Sequence, residues 1–242
     1  AYEILSGLVG SEMCIRDSHK TGYCCLSCFE NLQIFANGFC KKCFFESPIA
    51  GDWIMKPELS KAHLGIEDRD ISYEKKVQLQ NHIVYLSKTS GIKVGVTRSN
   101  NMSTRWIDQG AIEAVELIEV PNRYLAGVAE VKLKEKFSDK TNWRKMLTSN
   151  IEEADIIKNK KIALDALGSE FEEFFKTDSE VMKFNYQIDK SIDSVKSVSL
   201  KKSDDIEGKL IGIKGQYLIF EDSSVFNVRS NEGYVVDISI FD

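Results

Sequence analysis

The stretch that decides the fold is "HIVYLSKTSGIKVGVTR", residues 82–98. Two runs rich in Val and Ile flank a Ser-Lys-Thr-Ser-Gly segment. Such β-branched residues, like the tyrosine of the first run, favour strands, and the Ser90-Gly91 pair is a turn signal. The stretch therefore predicts a β-hairpin whose first strand carries Tyr85 and whose second strand carries Lys93 and Gly95.

The residues that follow the hairpin predict a short helix and a third strand. Asn100 or Asn101 can cap a helix that carries Arg105, and Gly110 can end that helix. "AIEAVELIEV", residues 111–120, alternates apolar and polar positions. This alternation predicts a strand whose glutamates face water.

Two further helices are expected after this strand. "RYLAGVAEVKLKEKF", residues 123–137, repeats an apolar residue every four positions and so predicts an amphipathic helix. The apolar stripe consists of Leu125, Ala129, Leu133 and Phe137. Gly127 would let a neighbouring element approach this helix closely. "SDKTNWRKML", residues 138–147, predicts a turn and then a short helix.

The cysteines predict a metal site. All 6 lie within the first 43 residues, and four of them form two C-x-x-C pairs. Zn²⁺ takes four tetrahedral ligands, and two such pairs supply them, so a structural zinc ribbon is expected. Its predicted ligands are Cys25, Cys28, Cys40 and Cys43. Cys24 could replace Cys25 as a ligand, although the C-x-x-C spacing favours Cys25.

The bulk composition narrows the compartment and the partners. The first twenty residues include acidic residues and lack a long apolar core, so they make a poor signal peptide. A reducing compartment, the cytoplasm, is expected. No run of about 18 apolar residues occurs, which excludes a spanning helix and a membrane partner. The net charge of -5 does not favour nucleic acid over other partners.

The N-terminal residues are expected to be foreign to the fold. "GLVGSEMCIRDS", residues 7–18, resembles a translated sequencing adapter, and a genuine but poorly ordered terminus is the alternative. Residues 1–18 are therefore predicted to be a non-native or disordered segment that packs against nothing. A native upstream segment is expected to have completed the C-terminal sheet.

The remaining patterns predict an α+β protein of several parts. Residues 19–80 are assigned to the zinc ribbon and an irregular linker, and 81–149 to a small mixed core with an antiparallel sheet and helices. Residues 150–194 have helical periodicity and are predicted to form a helical connector. Residues 195–242 alternate apolar and polar positions between turns, which predicts a small antiparallel β-domain.

The core of residues 81–149 resembles the GIY-YIG nuclease domain. "IVY" supplies Tyr85 in the first strand, and "KVG" supplies Lys93 and Gly95 in the second. Arg105 lies on the expected first helix, with Arg98 as a nearer competitor. Glu130 lies on the later helix, and Asn142 follows it.

This resemblance implies a catalytic set for phosphodiester cleavage: Tyr85, Lys93, Arg105, Glu130 and Asn142. Glu130 would hold Mg²⁺ or Mn²⁺ through one carboxylate and several waters. Arg105 would contact phosphate, and Tyr85 would deprotonate or orient the water. Lys93 stands where the family has its second tyrosine, and it is a phosphate-binding charge unless it is buried.

Each residue of this set also has an ordinary structural interpretation. Tyr85 can be a half-buried strand residue, and Arg105 can cover the core with its stem. Glu130 can form an ion pair with Lys134 one helical turn away. Asn142 can cap the following helix.

The span from about residue 24 to the C-terminus also resembles an uncharacterised bacterial domain-of-unknown-function family that joins a cysteine ribbon to a GIY-YIG-like core. The phrases "KPEL", "KVGVTR", "TRWIDQGA", "RYLAG" and "SDKTNWRKML" carry this resemblance. The GIY-YIG resemblance implies a protein that binds DNA or RNA, with a metal-dependent phosphodiesterase as its enzymatic form, whereas the domain-of-unknown-function family has no assigned reaction. A noncatalytic module that binds nucleic acid or protein is the alternative, and a purely structural or regulatory protein is the third.

Overall fold

The structure is a computed structural model that describes residues 14–148, 151–190 and 192–241. It is a mixed α+β protein with antiparallel sheets and helices, as the sequence predicts. The strands in chain order are β1 (Cys14–Tyr23), β2 (Ile34–Ala36), β3 (Phe39–Cys40), β4 (His82–Lys88), β5 (Ile92–Arg98), β6 (Glu113–Val120), β7 (Met182–Lys183), β8 (Lys196–Val198), β9 (Asp205–Lys214), β10 (Tyr217–Phe220), β11 (Ser224–Asn227) and β12 (Tyr234–Phe241). The α-helices are α1 (Lys41–Glu46), α2 (Ile71–Gln78), α3 (Met102–Asp108), α4 (Arg123–Leu133), α5 (Trp143–Leu147) and α6 (Ile156–Leu167).

The chain forms two compact units, and they group the segments differently from the predicted boundaries. Of the described residues, one unit contains those up to 50 together with 147–148, 186–190 and 192–241, and the other contains 51–146 and 151–185. The cysteine segment and the C-terminal strands thus share a unit, because β1 pairs with both β9 and β12. Such pairing across almost the whole chain has no signal in the local sequence pattern.

The first unit contains a six-stranded sheet in the order β12-β1-β9-β10-β11-β8. Its neighbours are antiparallel except β11 and β8, which are parallel. We expected residues 1–18 to pack against nothing. Residues 1–13 lie outside the described part, but the backbone from Cys14 to Ser18 pairs with β9 and β12. That expectation is corrected for these five residues, because β1 fills the place between the two strands.

The second unit is built on the predicted hairpin. Its four-stranded sheet has the order β5-β4-β6-β7, and the hairpin register pairs Tyr85 with Gly95 and Ser87 with Lys93. One face of the sheet packs against α4 and α6 through an apolar core that includes Val84, Leu86, Leu117 and Leu133. The other face buries Tyr85 against Trp106 of α3. The site described below therefore lies on a sheet that is covered on both sides.

Helix α4 begins at a capped position and is packed closely against the preceding linker. The Asn122 side chain accepts a hydrogen bond from the Leu125 backbone N–H, which explains the start of the helix. A Cβ at Gly127 would lie 2.2 Å from the backbone nitrogen of Glu58. The predicted close approach at Gly127 is confirmed, and the neighbouring element is the turn Pro57–Leu59.

Two segments differ from the sequence expectation. The linker of residues 46–80 contains the expected short turns, but it ends in a regular helix, α2, whose Asp70 side chain caps Tyr73 N. Among the described residues of the predicted connector, 150–194, helix occurs only in α6 and in the 3-10 turn Ser169–Phe174. The chain that follows this turn has an irregular path. Lys160 Nζ, on α6, holds it there by donating hydrogen bonds to the carbonyls of Lys176 and Thr177.

No helix in the part of the chain that the structure describes is long and apolar enough to cross a membrane.

Candidate metal centre and hairpin cluster

The four predicted cysteine ligands come together in one place. The Sγ atoms of Cys25, Cys28, Cys40 and Cys43 all lie within 4.8 Å of one another. The β2–β3 hairpin brings the second pair to the first, and its turn residues Asn37 and Gly38 both have positive φ. Asn-Gly is the residue pair that such tight hairpin turns favour. The local sequence therefore builds the site.

Cys25, and not Cys24, belongs to this set. Cys25 is fully buried, and its Sγ accepts the backbone N–H of Cys40 at 3.3 Å. Burial alone would raise the pKa of Cys25, but backbone N–H groups, that of Cys28 foremost, outweigh it and lower the pKa to about 6. The Cys24 thiol instead donates to the carbonyl of Phe29. The alternative left open by the sequence is thereby decided.

The four thiols can hold a metal ion such as zinc. Four sulfur ligands and N–H···S bonds that favour the thiolate suit a closed tetrahedral site. Phe39, Phe44 and Ile49 pack with Cys25, Cys40 and Cys43, whereas Cys28 is exposed. If the four thiols bind one ion, protein fills all four positions of a tetrahedral site.

A second group of polar side chains gathers on the predicted hairpin, and we call it the hairpin cluster. Its members come from four different elements, β4, β5, α3 and α4. They are Tyr85, Lys93, Arg105, Arg123 and Glu130. Arg105 and Glu130 each act electrostatically on both Tyr85 and Lys93.

Tyr85 lies at the centre of the cluster and is wholly buried. Its hydroxyl donates to Gln109 Oε1 at 2.9 Å, and its ring makes an edge contact with Trp106. Burial raises the pKa of Tyr85 to about 12, although the Arg105 charge opposes the shift. A Cβ at Gly95 would lie 2.6 Å from the Tyr85 hydroxyl oxygen, so Gly95 makes room for this side chain.

Lys93 is buried beside Tyr85, with only 6% of its surface exposed. Burial, reinforced by the charge of Arg105, lowers the pKa of Lys93 to about 8, while the Glu130 and Asp139 carboxylates oppose this shift. A substantial fraction of the amine is therefore neutral at mildly alkaline pH. The sequence analysis expected Lys93 to be a phosphate-binding charge unless it was buried, and the structure shows that it is buried.

Glu130 faces the cluster from α4 and is also largely buried, which raises the pKa of its carboxyl. Its Oε2 lies 3.2 Å from Lys134 Nζ, so the ordinary i,i+4 ion pair is present. Among the described residues, Glu130 belongs to no set of three or more acidic, histidine or cysteine groups that could share an ion. Among the described residues, Glu130 therefore has no set of protein ligands around it that could by itself enclose Mg²⁺ or Mn²⁺.

The sequence did not predict two charged residues at this site: Arg123, which belongs to the hairpin cluster, and Glu58, which lies near it. Arg123 is fixed by hydrogen bonds to the carbonyls of Trp53 and Ile54, and burial lowers its pKa to about 10. Glu58 acts electrostatically on both Arg123 and Glu130, and its Oε2 is a buried atom without a hydrogen-bond partner. Both residues lie in phrases singled out above, "RYLAG" and "KPEL", which were the available signal.

Asn142 lies in a different place from the cluster. Its side chain accepts the backbone N–H of Lys145, which caps α5 as the ordinary interpretation predicts. Its own backbone N–H donates to Ser90 Oγ. It lines a cavity of about 210 Å³ that is considered separately below.

The fold and the sites define a mixed α+β protein that combines a cysteine cluster with a charged cluster on a β-hairpin. A family model described as "Protein of unknown function (DUF2797)" matches residues 11–236, and the chain belongs to this family. The match begins within the stretch that resembles an adapter sequence. No match was found among curated proteins or among solved structures.

Proposed function

We propose that the hairpin cluster binds the phosphate backbone of a nucleic acid and hydrolyses a phosphodiester bond with a divalent metal ion. The observation that carries this proposal is the convergence of Tyr85, Lys93, Arg105 and Glu130. These four residues are spread over forty-six positions, yet Arg105 and Glu130 each act electrostatically on Tyr85 and on Lys93. Basic side chains gathered around one carboxylate suit an anionic substrate.

The order of elements around the cluster supports a GIY-YIG-like core. Hairpin, short helix, strand and longer helix follow one another as β4, β5, α3, β6 and α4. Arg105 lies on the first helix and Glu130 on the second, as the resemblance implies. Arg98, the competing arginine, lies at the end of β5 before that helix begins.

The carboxylates at the cluster fit a hydrated divalent ion. Mg²⁺ is held in many sites by one or two carboxylates and several waters, so a cage of three protein ligands is not required. Glu130 would hold the ion, and the unpartnered Oε2 of Glu58 is an oxygen available beside it. A bound ion would polarise a nonbridging oxygen of the phosphate.

The remaining residues divide the other tasks. Arg105 would bind the phosphate, and the Lys93 amine would take a proton from the attacking water. The water oxygen forms a bond to phosphorus, one bond to a sugar oxygen breaks, and solvent protonates that leaving oxygen. Tyr85 is buried and donates to Gln109, so it would position Arg105 and Lys93 instead of acting as the base.

Zinc bound to the cysteine cluster would stabilise the first unit without taking part in the reaction. A reducing compartment, the cytoplasm, would keep the four thiols available. The five described cysteines are all free of disulfides, which is compatible with this placement.

A noncatalytic nucleic-acid-binding module is the second candidate. The specific observation in its favour is the ion pair between Glu130 and Lys134, because this lysine occupies the carboxylate that a metal ion would need. In that case the cluster would hold phosphate through its cations and would not cleave it.

The test is incubation of the purified protein with branched, single-stranded and duplex DNA and RNA in the presence of Mg²⁺ or Mn²⁺. We expect cleavage that disappears with a chelator and falls by about 10²-fold or more in Glu130→Gln, as for other losses of transition-state charge stabilisation. Glu135→Gln, at an exposed position beyond the end of α4, is the matched control and should cleave normally.

Cleavage that is unchanged in Glu130→Gln would reject the catalytic assignment. Binding of nucleic acid that is weakened in Arg105→Gln, with no cleavage under any condition, would establish the noncatalytic module instead.

A further inference from the structure

A cavity of about 210 Å³ lies beside the turn of the β4–β5 hairpin. Its polar lining includes Ser90, Ser138, Lys140, Asn142, Lys145 and Glu152. The volume is below the roughly 300–1,000 Å³ of pockets that enclose drug-sized ligands. The cavity therefore suits a small polar group better than a whole nucleoside.

The lining favours an anion. Two lysines and one glutamate contribute charge, which makes the cavity net positive. The Lys145 amine donates to Glu152 Oε1 at 2.8 Å, so this lysine is largely neutralised. Lys140 is exposed and is left as the main positive charge.

Hydroxyl groups add hydrogen-bonding capacity to the cavity. Ser90 is 7% exposed, and its Oγ accepts the backbone N–H of Asn142 at 3.0 Å. This bond uses one lone pair of the Ser90 Oγ, and the Ser90 O–H can donate to a ligand. A buried hydroxyl donor beside a lysine is a suitable combination for a phosphate oxygen.

One chain segment joins this cavity to the hairpin cluster. The carbonyl of Ser138 accepts the Val94 backbone N–H at 2.9 Å, which places Ser138 beside Lys93 on the edge of β5. Asp139 acts electrostatically on Lys93 and Glu130, whereas Ser138 and Lys140 line the cavity. The two sites are therefore neighbours along the edge of the same sheet.

We propose that this cavity binds a second phosphate group of the nucleic-acid strand, adjacent to the phosphate held at the hairpin cluster. The inference rests on the proposed function, since it assigns a neighbouring subsite for the same substrate. Asn142 then acts through the cavity: its side chain caps α5 and its backbone N–H orients Ser90, while Lys140 provides the charge.

The first test is the salt dependence of binding to a fluorescently labelled single-stranded oligonucleotide, measured with a chelator so that no cleavage occurs. Lys140→Gln should weaken binding about threefold to tenfold at low salt. It should also reduce the slope of log K against log [salt] by about 0.7, the value for one phosphate contact on a single strand. Lys161→Gln, an exposed change on α6, is the control and should leave the slope unchanged.

A second variant has the opposite sign. Glu152→Gln removes the carboxylate that pairs with Lys145 and so makes the charge of the cavity more positive. It should strengthen binding of the same oligonucleotide about twofold to fivefold and increase the slope, because the more positive cavity attracts phosphate more strongly. If the Lys145–Glu152 pair is only structural, Glu152→Gln should weaken binding or leave both the affinity and the salt slope unchanged.

Inorganic phosphate provides a test that needs no nucleic acid. In NMR spectra of the whole protein, phosphate should shift the amide signals of Ser138, Lys140 and Asn142 in the wild type and not in Lys140→Gln. Unshifted signals together with an unchanged slope in Lys140→Gln would overturn the second subsite. Failure of the proposed function is seen separately, as an Arg105→Gln variant that binds and cleaves like the wild type.

Discussion

The cysteine cluster and the hairpin cluster both bring reactive side chains together, but they are built in different ways. The cysteine cluster draws four identical ligands from nineteen consecutive residues, and a single hairpin closes it. The hairpin cluster draws five side chains from four elements, and the charges of Arg105 and Glu130 act on Tyr85, Lys93 and Arg123. Local spacing therefore specifies the first site, whereas tertiary packing specifies the second.

This contrast predicts different consequences of removing one member. Loss of a cysteine leaves a metal site that cannot close, so the effect on stability should be large. Loss of a charged residue from the hairpin cluster relieves electrostatic strain, so the effect on function should be large and the effect on stability small or even favourable.

The largest effect is expected for Cys40→Ser. Structural zinc contributes about 10–16 kcal/mol of apparent binding free energy, and one missing thiolate of four should abolish tight binding. The protein should lose its zinc and the segment around residues 24–50 should unfold. Metal analysis of the purified protein and the NMR dispersion of the Phe39 and Phe44 signals would measure both results.

Cys24→Ser is the matched control for this experiment, because its thiol lies outside the cluster. It should retain one zinc per chain. Equal zinc loss in both variants would show that Cys24 takes part in the site and would contradict the assignment of Cys25.

Lys93→Met should have the next largest effect, and its sign distinguishes the two clusters. The Lys93 pKa of about 8 means that folding opposes its protonation. At pH 7 the variant should be more stable by about 1–3 kcal/mol, since a pKa unit corresponds to about 1.4 kcal/mol. Chemical denaturation without divalent ions would measure this gain, and cleavage should be lost.

The pH dependence gives a further check on the same residue. The lysine pKa is lower in the folded protein, so the unfolded chain binds more protons between about pH 8 and 10.5. The free energy of unfolding of the wild type should therefore rise with pH across this window, relative to Lys93→Met. Parallel curves for the two proteins would show that Lys93 is not buried as described.

The smallest effect is expected for Tyr85→Phe. The variant loses the hydrogen bond to Gln109 and should be destabilised by about 1 kcal/mol, a typical net value for such a bond. Its cleavage rate should fall less than tenfold, because the hydroxyl positions its neighbours and does not reach the water. A loss as large as that of Glu130→Gln would instead make Tyr85 a catalytic residue.

The parts of the fold with strong local signals were predictable. The hairpin, the strand after it and helix α4 follow from periodicity, turn residues and caps, and Gly127 indicated close packing before the neighbour was known. Helix α2 was missed because its eight residues, "ISYEKKVQ", include few apolar side chains. The pairing of β1 was also missed, because its partners lie far along the chain: His19 pairs with Asp205, and Cys14 pairs with Phe241.

The candidate site was predictable as a set of residues, and its electrostatics was not. The GIY-YIG resemblance identified Tyr85, Lys93 and Glu130, but it could not show that Tyr85 and Lys93 are buried. Tyr85 is buried because α3 covers it and Gly95 leaves room for its ring. Glu58 and Arg123 lie in the phrases "KPEL" and "RYLAG", but only the tertiary structure shows that they act on the cluster.

The glycine of the hairpin, Gly95, is explained by the tyrosine that faces it across the strand pair. Gly95 has no positive φ and no turn to make, so its need is for space: the Tyr85 ring lies where a side chain would be. The two positions should therefore vary together in related chains. Where the first strand carries a small residue in place of the tyrosine, alanine or serine becomes acceptable in the second, and a chain with a bulky residue at both positions should have rebuilt this strand pair.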